Sequence, residues 1–512
     1  MLQRRPVTLT PETGSPPQPL LTSTAARRTS RNATALTLSA FVTKGLLFFW
    51  QIYLARGLGA ELYGVYGAVS AMLIIGASIP EFGLGLIVIR DVASHPQDSR
   101  RYLAATLVIQ PILAVVGYGF LLILATSLGL DARLRGLLAL AAWSLLIDTL
   151  GNMGHNQLIA FEHMVLTSII SIGHTAVLIV LGVAALALSK SLWNLYLAIL
   201  AASTLRATAY WVALLRLGIR PAFPVTGTLI RYLMINGAPF ALTAFVSLAY
   251  INSDKLLATM LIGSEATGQL MASFVIVFGV IELLSTPMLV TVYPWMSRLH
   301  NNGEYDKVNL MLEKLSFLTL LASLPVALYT SLLAVPLAAL IFGDSFVGAA
   351  AVLRIMIWYV LIAMIANVFS QVLAVQNRQR WLLLVRITGL MLSIALNLIL
   401  LPRIGVSGTA YAMIVSELLV LVLLLRSLNL PHRWWQHMIS YVWRLAIAAA
   451  LLAATTIPLA ALHPLLAIVV GLPLYAASLF VVGVFTEEDR ALFKQLVETM
   501  PGGMSIIRLW KR

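Results

Sequence analysis

Cysteine is absent from this chain of 512 residues, and charged residues are few. Without cysteine the chain has no disulfide, no thiolate nucleophile and no cysteine-based metal site. Asp, Glu, Lys and Arg together make up 11% of the residues, less than half of the roughly 25% found in soluble domains. Hydrophobic residues make up 60%, and the mean hydropathy is +0.92. This composition excludes an ordinary soluble domain and predicts an integral membrane protein.

Long polar stretches are also lacking between residues 32 and 485, where fourteen apolar runs follow one another. Each run is long enough to cross the hydrocarbon core, which takes about 20 residues as a helix. None has the regular alternation of an outer-membrane barrel strand. The sequence therefore predicts an all-α integral membrane fold with about 14 transmembrane helices. The runs lie at 32–55, 63–89, 102–127, 134–160, 164–188, 192–215, 230–257, 266–292, 310–335, 349–375, 381–401, 406–428, 440–461 and 464–485.

Two short segments repeat each other along the chain. Ile262–Gly268 has the pattern of Leu58–Gly64, with two glycines and a glutamate at the same places, 204 residues later. Each copy lies between two long apolar runs, so we interpret it as the tight turn of a helical hairpin. The repeat predicts two duplicated six-helix lobes around a central cleft, followed by two extra C-terminal helices.

Domain boundaries follow from these runs. Residues 1–31 are rich in Pro, Ser, Thr and Arg and lack the apolar core of a signal peptide, which predicts a disordered basic cytoplasmic tail. An even number of spans places both termini on one side of the membrane. We predict a first lobe at 32–215, followed by a cytoplasmic linker with two prolines at 216–229 and a second lobe at 230–428. The two extra helices are predicted at 440–485, and a cytoplasmic C-terminal tail at 486–512.

The 34 lysines and arginines are distributed unevenly, and the chain has a net charge of +14. The tails, the alternate loops on the side of the termini and their helix ends hold 25, the loops of the other side hold six, and three lie deep in helices. Cytoplasmic loops carry the excess of Lys and Arg, so both termini are predicted to be cytoplasmic. In a membrane chain this basic balance indicates topology and contact with anionic lipid, and we predict no nucleic-acid partner. The short external loops leave no room for an external domain.

Four of the cations within the apolar runs lie deep in a helix or near its outer end. Lys44, Arg206 and Arg354 are the deepest, in helices one, six and ten, and Lys255 lies near the outer end of helix seven. A charge at mid-bilayer costs about 2.5–3.5 kcal/mol, so such a side chain faces a partner or a water-filled cavity. We predict that these four residues form a cationic cavity that binds the substrate.

Acidic residues within the runs supply partners for these cations or titrating groups. Asp254, Asp148 and Glu81 are the candidates for coupling transport to an ion. Glu282 and Glu417 are further acids at membrane depth. The sequence thus places at least one acid in each lobe.

Structural roles for some of these charges stay open. Arg206 and Glu417 can belong to ion pairs that join one lobe helix to another. Asp254 and Lys255, which are neighbours in sequence, can form an internal neutral pair or an interfacial anchor. The sequence alone does not choose between these roles and a substrate or ion site.

No metal site and no catalytic site is predicted. His432 and His437 lack the i, i+4 spacing of two ligands on one helix face, and the neighbouring Trp434 and Trp435 fit an interfacial aromatic belt. The glycine pairs near the first two helices lack the rest of a dinucleotide-binding fingerprint. We therefore expect neither a cofactor nor an enzyme activity.

Several segments, taken in their order and spacing, resemble those of a known family. They are Leu54–Tyr66, Glu81–Gly85 and Arg90–Ala93 in the first lobe and Asp254–Gly268, Ile341–Phe346 and Asn397–Ala410 in the second. Together they resemble the polysaccharide-type flippases, those of O-antigen and exopolysaccharide, in the multidrug/oligosaccharidyl-lipid/polysaccharide (MOP) exporter superfamily. The resemblance covers about residues 32–428.

This resemblance implies a multi-pass flippase of the bacterial cytoplasmic (inner) membrane. Its substrate would be an undecaprenyl-pyrophosphate-linked oligosaccharide, moved from the cytoplasmic to the periplasmic leaflet by alternating access for lipopolysaccharide or exopolysaccharide synthesis. The resemblance also implies coupling to a proton or sodium gradient. Membrane lipids and a polysaccharide polymerase or glycosyltransferases are the expected partners, and the expected state is a monomer.

Other functions remain as alternatives. A flippase of lipid-linked peptidoglycan precursor would also have fourteen helices and a cationic cavity. A multidrug exporter of the same superfamily would present a mainly acidic or aromatic cavity to cationic drugs, against which the basic helices one, six and ten argue. A membrane polymerase or ligase would need a sizeable external loop. A scaffold without transport would not need buried cations in several helices.

Overall fold

The computed structural model describes residues 23–428 and 430–485 of the chain. Within these ranges all regular structure is helical, and the prediction of an all-α membrane fold is confirmed. The predicted tail at 486–512 and residues 1–22 of the predicted N-terminal tail lie outside the described residues. The first helix begins at Ser23, ahead of the predicted boundary at residue 32.

Seventeen α-helices follow one another in the described ranges. The first half of the structure consists of α1 (Ser23–Glu81), α2 (Leu84–Ser94), α3 (Ser99–Ser127), α4 (Ala132–Ala141), α5 (Trp143–Ala160), α6 (Met164–Leu188) and α7 (Leu192–Arg216). The second half consists of α8 (Gly227–Leu261), α9 (Ser264–Asn301), α10 (Tyr305–Leu332), α11 (Ala334–Phe342), α12 (Ala349–Met356), α13 (Tyr359–Val375), α14 (Gln379–Ile404) and α15 (Ser407–Ser427). The chain continues with α16 (His432–Leu462) and α17 (Pro464–Val481).

These helices account for about fourteen membrane crossings, as predicted. In the described residues, eleven helices are long and apolar enough to span, and α12 with α13 forms one further span bent by 41°. The stretch Thr34–Glu81 is 48 residues long, roughly 72 Å as straight helix, and so provides two crossings of a core about 30 Å thick. Helix α17 contributes a shorter apolar segment, Leu466–Val481.

Helix α1 is a hairpin of two spans because the chain folds back at Gly59. This residue has φ 75° and ψ 172°, a conformation open to glycine and strained for other residues. The Tyr63 hydroxyl donates to Gln51 Oε1 at 3.0 Å, although twelve residues of straight helix would separate the two by about 18 Å. Gly263 repeats this turn before α9, with φ 109° and ψ 175°. The turns predicted from the repeated segments are therefore present.

The two ends of the helix bundle differ in charge. We call the end with the loops after α2, α5, α7, α9, α13 and α15 the basic end, because these loops and their flanks hold most of the Lys and Arg of the described chain. The other end, which carries the turns at Gly59 and Gly263, is the opposite end. The uneven charge predicted from the sequence thus becomes a difference between two faces of the molecule.

The repeated turns pack against each other at the opposite end. Gly64 lies against the carbonyl oxygen of Ser264, and Gly268 lies against the carbonyl oxygen of Ala60. Ser264 and Gly268 follow Ala60 and Gly64 by 204 residues, so they occupy equivalent positions in the second repeat. The two contacts are therefore equivalent, with the roles of the halves exchanged. A Cβ atom at either glycine would overlap with a backbone atom of the other half. The close approach of the halves therefore depends on both glycines.

Further contacts between the halves close the opposite end. The guanidinium of Arg56 donates to the carbonyl oxygens of Ile341, at 2.7 Å from Nε, and of Leu340. The Tyr63 ring meets the Phe346 ring edge-on, with 6.0 Å between the ring centres. Residues of the second half that are far in sequence from the repeated turn thus contact the first half at the same end of the bundle.

A second set of contacts joins the halves at the basic end. The carboxylate of Asp91, on α2, accepts hydrogen bonds from the Tyr232 hydroxyl of α8 at 2.9 Å and from the Tyr102 hydroxyl of α3 at 3.1 Å. Arg90 pairs with the same carboxylate and donates to Tyr232 at 3.1 Å. Burial raises the pKa of the Asp91 carboxyl, but the hydrogen bonds from Arg90, Tyr232 and Tyr102 more than offset this and lower it below its ordinary value. The carboxylate therefore stays charged and holds α8 against the first half.

Helix α16 is attached to the second half by a polar cluster near the basic end. His437 Nδ1 lies 2.9 Å from the Glu313 carboxylate of α10, and Glu313 is buried. Lys314 donates to the Tyr441 hydroxyl at 3.1 Å. His437 therefore binds a carboxylate of the neighbouring helix.

We expect Gly64→Ala and Gly268→Ala each to destabilise the protein by about 1–3 kcal/mol, because the added Cβ meets backbone that cannot move aside as a flexible side chain would. Thermal unfolding of the purified chain in detergent measures the effect. Gly173→Ala is the matched control, since a Cβ at Gly173 has no neighbour within 4 Å. Melting temperatures for Gly64→Ala and Gly268→Ala equal to that of the control would contradict the contact.

Candidate functional site

Lys44 lies where the two halves meet. It forms an ion pair with Glu282, which joins α1 to α9, and the two side chains are 49% and 47% exposed. One helical turn away, a Cβ at Gly279 would lie 2.9 Å from the Phe48 ring, so the two helices are in close contact beside the pair. Lys44, one of the predicted site cations, therefore lies at the contact between the halves with about half of its side chain exposed.

Arg206, Asp148 and Glu81 form one cluster inside the first half. Arg206, on α7, donates to the Asp148 carboxylate of α5 at 2.9 Å. Asn152, one turn further along α5, donates to the Glu81 carboxylate at the end of α1. Glu81 also lies within electrostatic range of Arg206 and Asp148. The cluster contains two carboxylates and one guanidinium, so its net charge is negative when all three are ionised.

Two histidines extend this cluster. His155 Nδ1 lies 3.0 Å from the Tyr210 hydroxyl, which is itself 3.1 Å from Ser171 Oγ. His155 and His174 both lie within electrostatic range of Arg206. Polar side chains from α5, α6 and α7 therefore form a continuous network across the interior of the first half.

Arg354 stands apart from the other predicted cations. It lies on α12, its side chain is exposed, and no ion pair involves it in the part of the chain that the structure describes. Its backbone carbonyl accepts a hydrogen bond from Ser331 at 2.9 Å, where α10 and α12 meet. The structure does not bring Arg354 together with Lys44 or Arg206.

Asp254 and Lys255 have different partners, although they are adjacent on α8. Asp254 is 1% exposed and accepts hydrogen bonds from Ser393 Oγ at 3.1 Å and Asn397 Nδ2 at 2.8 Å, both on α14. Lys255 donates to Asn252 Oδ1 at 2.8 Å, and its ammonium lies 4.6 Å from the centre of the Phe274 ring. No direct ion pair joins the two among the described contacts, because successive side chains on a helix point about 100° apart.

A small cavity adjoins Asp254 and has room for roughly one water molecule. Its lining includes Tyr250, Tyr359, Ser393 and Met413. On α14, Asn397 Oδ1 is a buried acceptor without a hydrogen-bond partner, and so is Thr409 Oγ1, one turn before Met413 on α15. The unpaired Oδ1 of Asn397, whose Nδ2 donates to the Asp254 carboxylate, suits a proton or a small hard cation bound beside that carboxylate. No group of three His, Cys, Asp or Glu residues that suits a transition metal occurs in the residues described.

Arg386 is a membrane-embedded cation that the sequence analysis missed. It lies 3.4 Å from Glu417, which is 1% exposed and also accepts from the Tyr250 hydroxyl at 2.7 Å and the Tyr359 hydroxyl at 3.5 Å. Arg386 stands seven residues into α14 and so resembles a helix-end charge in the sequence. The seven residues that separate it from the helix start were the available sign that it lies within the membrane. Glu417 and Arg206 both form ion pairs between helices of their own half, which is the structural role that the sequence left open for them.

The predicted site residues thus fall into four places. One is the Lys44 pair between the halves, and another is the cluster of Arg206, Asp148 and Glu81 in the first half. The remaining two are the surroundings of Asp254 and Lys255 and the exposed face of α12 at Arg354. The role of each residue in substrate binding or ion coupling stays a prediction.

Comparison with known families and structures points to one superfamily. A sequence model of the family described as "Polysaccharide biosynthesis protein" matches residues 29–300, more than half of the chain. No curated protein matches the chain significantly.

Among solved structures, the fold is similar to that of lipid II flippase MurJ in an inward closed conformation, with 14% identity, a TM-score of 0.71, and coverage of 86% of this chain and 97% of that one. It is also similar to an inward-facing multidrug resistance MATE family transporter of the MOP superfamily, with 14% identity, a TM-score of 0.62, and coverage of 76% and 96%. A MOP superfamily transporter from Pyrococcus furiosus matches with 16% identity, a TM-score of 0.54, and coverage of 77% and 94%. These similarities show a shared fold.

We expect Arg386→Met to destabilise the protein by about 3–5 kcal/mol, because it leaves the buried Glu417 carboxylate without its cation. Adding Glu417→Gln to Arg386→Met should restore much of the loss, since the unpaired charge is then removed. Thermal unfolding of the three proteins in detergent measures both effects. An Arg386→Met protein as stable as the unmodified chain would show that the pair is not structural.

Proposed function

We propose that this chain, which belongs to the polysaccharide biosynthesis protein family, is a flippase for an undecaprenyl-pyrophosphate-linked oligosaccharide. It moves the repeat unit from the cytoplasmic to the periplasmic leaflet of the bacterial cytoplasmic membrane, for cell-surface polysaccharide synthesis. The family match and a fold shared with transporters support this proposal. These relatives are transporters, which also favours a function without covalent chemistry.

The observation that carries the proposal is the Lys44 ion pair between the halves. A sugar pyrophosphate crossing the membrane needs cations that face a wet cleft, because its charge is costly in hydrocarbon. Lys44 is half exposed, and its partner Glu282 can be replaced by the pyrophosphate, which carries more charge. Arg206, Lys255 and Arg354 are proposed as further contacts along the path.

The contacts at the two ends support alternating access. With the basic end taken as cytoplasmic, the Gly64 and Gly268 contact closes the periplasmic face. At the cytoplasmic face the Tyr232 hydroxyl donates a hydrogen bond to the Asp91 carboxylate, which joins the halves there and can break and reform. Entry of substrate from the cytoplasm therefore requires opening of the Asp91 contacts, and exit requires separation of the glycine contact.

Ion coupling is proposed at Asp254. Its carboxylate is buried, and the neighbouring Asn397, which donates to it, has an Oδ1 acceptor without a donor, so the residues fit a proton or a sodium ion. Ser393 completes a set of oxygen ligands on the adjacent helix. A bound cation would neutralise Asp254 and so link the ion gradient to the packing of α8 on α14. Asp148 and Glu81 are the alternative coupling residues in the first half.

The expected partners follow from the same proposal. A monomer in the membrane would receive its substrate from glycosyltransferases and deliver it to a polysaccharide polymerase. Lipids of the surrounding bilayer contact its apolar faces.

Lipid-linked peptidoglycan precursor is the second candidate substrate. The observation that favours it is the fold similarity to lipid II flippase MurJ over 86% of this chain. Both substrates would present a lipid pyrophosphate to the same cations. The sugar part distinguishes them, so the two candidates require separate complementation strains.

In a strain lacking the protein, we expect unpolymerised repeat units to accumulate on the cytoplasmic face of the membrane. Lys44→Ala and Arg354→Ala should express but rescue translocation at least about tenfold less well than the unmodified chain, because each removes a charge-assisted contact with the pyrophosphate. Leaflet accessibility of the sugar lipid in spheroplasts measures this. Lys307→Ala, an exposed lysine in the first turn of α10 at the basic end, is the matched control.

Two results would contradict the proposal. Repeat units that reach the periplasmic face of the deletion strain would show that translocation is not the task of this protein. Rescue of a peptidoglycan-precursor flippase mutant, with normal polysaccharide in the deletion strain, would favour the second candidate.

We expect Asp254→Asn to remove the dependence of transport on the ion gradient. The reason is that an amide neither binds a proton at physiological pH nor supplies a negative charge to a bound cation. Transport by the purified chain in proteoliposomes, with imposed sodium or proton gradients, measures this. Asp306→Asn, an exposed residue in the first turn of α10, is the control. Unchanged gradient dependence in Asp254→Asn would transfer the coupling role to Asp148 or Glu81.

A further inference from the structure

A cavity of about 300 Å³ opens at the basic end of the second half. It lies between the ends of α9, α10, α13 and α15, the loop that precedes α14, and the segment that leads to α16, so the first half does not contribute to it. Its polar lining consists of His300, Tyr305, Asn309, Gln376, Arg378 and Ser427. A volume of this size suits a small ligand or the headgroup of a lipid.

Several polar groups of this pocket have unused hydrogen-bonding capacity. The side-chain amides of Asn309 and Gln376 form no hydrogen bond within the described chain. His300 Nδ1 is buried and has no partner, while its ring meets Tyr305 edge-on, with 5.4 Å between the ring centres. Buried polar atoms are usually paired, so the unpaired His300 Nδ1, together with the partly buried amides of Asn309 and Gln376 on the same cavity, indicates a polar ligand.

The charge of the pocket favours an anion. Arg378 lines it and donates one N–H to the Ser427 carbonyl, which leaves further donors on the guanidinium. None of the described lining residues is acidic. Of the two carboxylates beside the lining residue Tyr305, that of Glu304 is paired with Lys307, and Asp306 is exposed in the first turn of α10, outside the lining. An arginine with amide donors around it is the chemistry that binds a phosphate group.

Neighbouring tryptophans place the pocket at the level of the lipid headgroups. Trp381 stands three residues after Arg378, in the first turn of α14, and Trp434 and Trp435 stand in the first turn of α16. Tryptophan is enriched where the hydrocarbon meets the headgroup layer. The pocket also has apolar lining residues, including Leu312 and Leu430, that suit the first carbons of a lipid. A phosphate on a membrane lipid therefore fits the position better than a soluble phosphate.

We propose that this pocket binds the phosphate headgroup of an anionic phospholipid in the leaflet at the basic end. Basic pockets between membrane helices on the cytoplasmic side are known to bind anionic headgroups. The bound lipid joins the ends of four helices of the second half, the loop that precedes α14 and the segment leading to α16. The site is separate from the proposed substrate path, and the proposal does not depend on the transported substrate.

Native mass spectrometry of the full-length purified chain tests the proposal. We expect the unmodified chain to retain phosphatidylglycerol in preference to phosphatidylethanolamine. Arg378→Gln and Asn309→Leu should each weaken phosphatidylglycerol binding by about tenfold, as expected for loss of a charge-assisted or buried hydrogen bond. Arg380→Gln, which removes the same charge from an exposed position outside the pocket lining, should bind as the unmodified chain does.

Three outcomes would overturn the proposal. Equal retention of the two lipids would show that no anionic site is present, and equal weakening by Arg380→Gln would assign binding to general surface charge. Displacement of the lipid by inorganic phosphate at the same concentration would make the pocket a soluble-phosphate site. Asn309→Leu keeps the test valid if Arg378→Gln folds poorly, because no hydrogen bond within the described protein depends on the Asn309 side chain.

Discussion

A charge inside hydrocarbon must be satisfied by the protein itself, and this constraint explains the polar contacts between the spans. Arg206 with Asp148 and Arg386 with Glu417 are pairs between neighbouring helices of one half. Asp254 instead is held by the hydroxyl and amide groups of α14. These helix contacts are therefore specific, because shifting one helix along another would leave a charge unpaired.

The contacts between the halves have a different character. At the opposite end the backbones meet through Gly64 and Gly268, with no side chain at the crossing. At the basic end the halves meet through the hydrogen bonds of Asp91 to Tyr232 and its neighbours. The ion pair of Lys44 with Glu282 also joins the halves, but both side chains are half exposed, so separating the halves leaves neither charge fully buried. Two halves joined in this way suit the proposed alternating access.

Charged residues that need a partner could be recognised from the sequence where a charge stood alone in a long apolar run. Arg206 and Asp148 were recognised in this way, and they prove to be 2.9 Å apart. Arg386 was missed because it is near a helix start in the sequence, although it reaches the buried Glu417. Hydropathy identifies charges that need a partner, but a partner on another helix can be recognised only when the helices are packed.

The sequence by itself determined the helical membrane fold, the number of spans, the repeated turns and the excess of positive charge on one side. These features are local, because hydropathy and the need of Gly59 for its backbone conformation act over one helix or one turn. The tertiary structure decided which groups meet: Lys44 with Glu282 across the halves, and the polar groups around the pocket at the basic end. Residues more than 200 positions apart come together only through helix packing, which depends on the shapes of all the contacting faces at once.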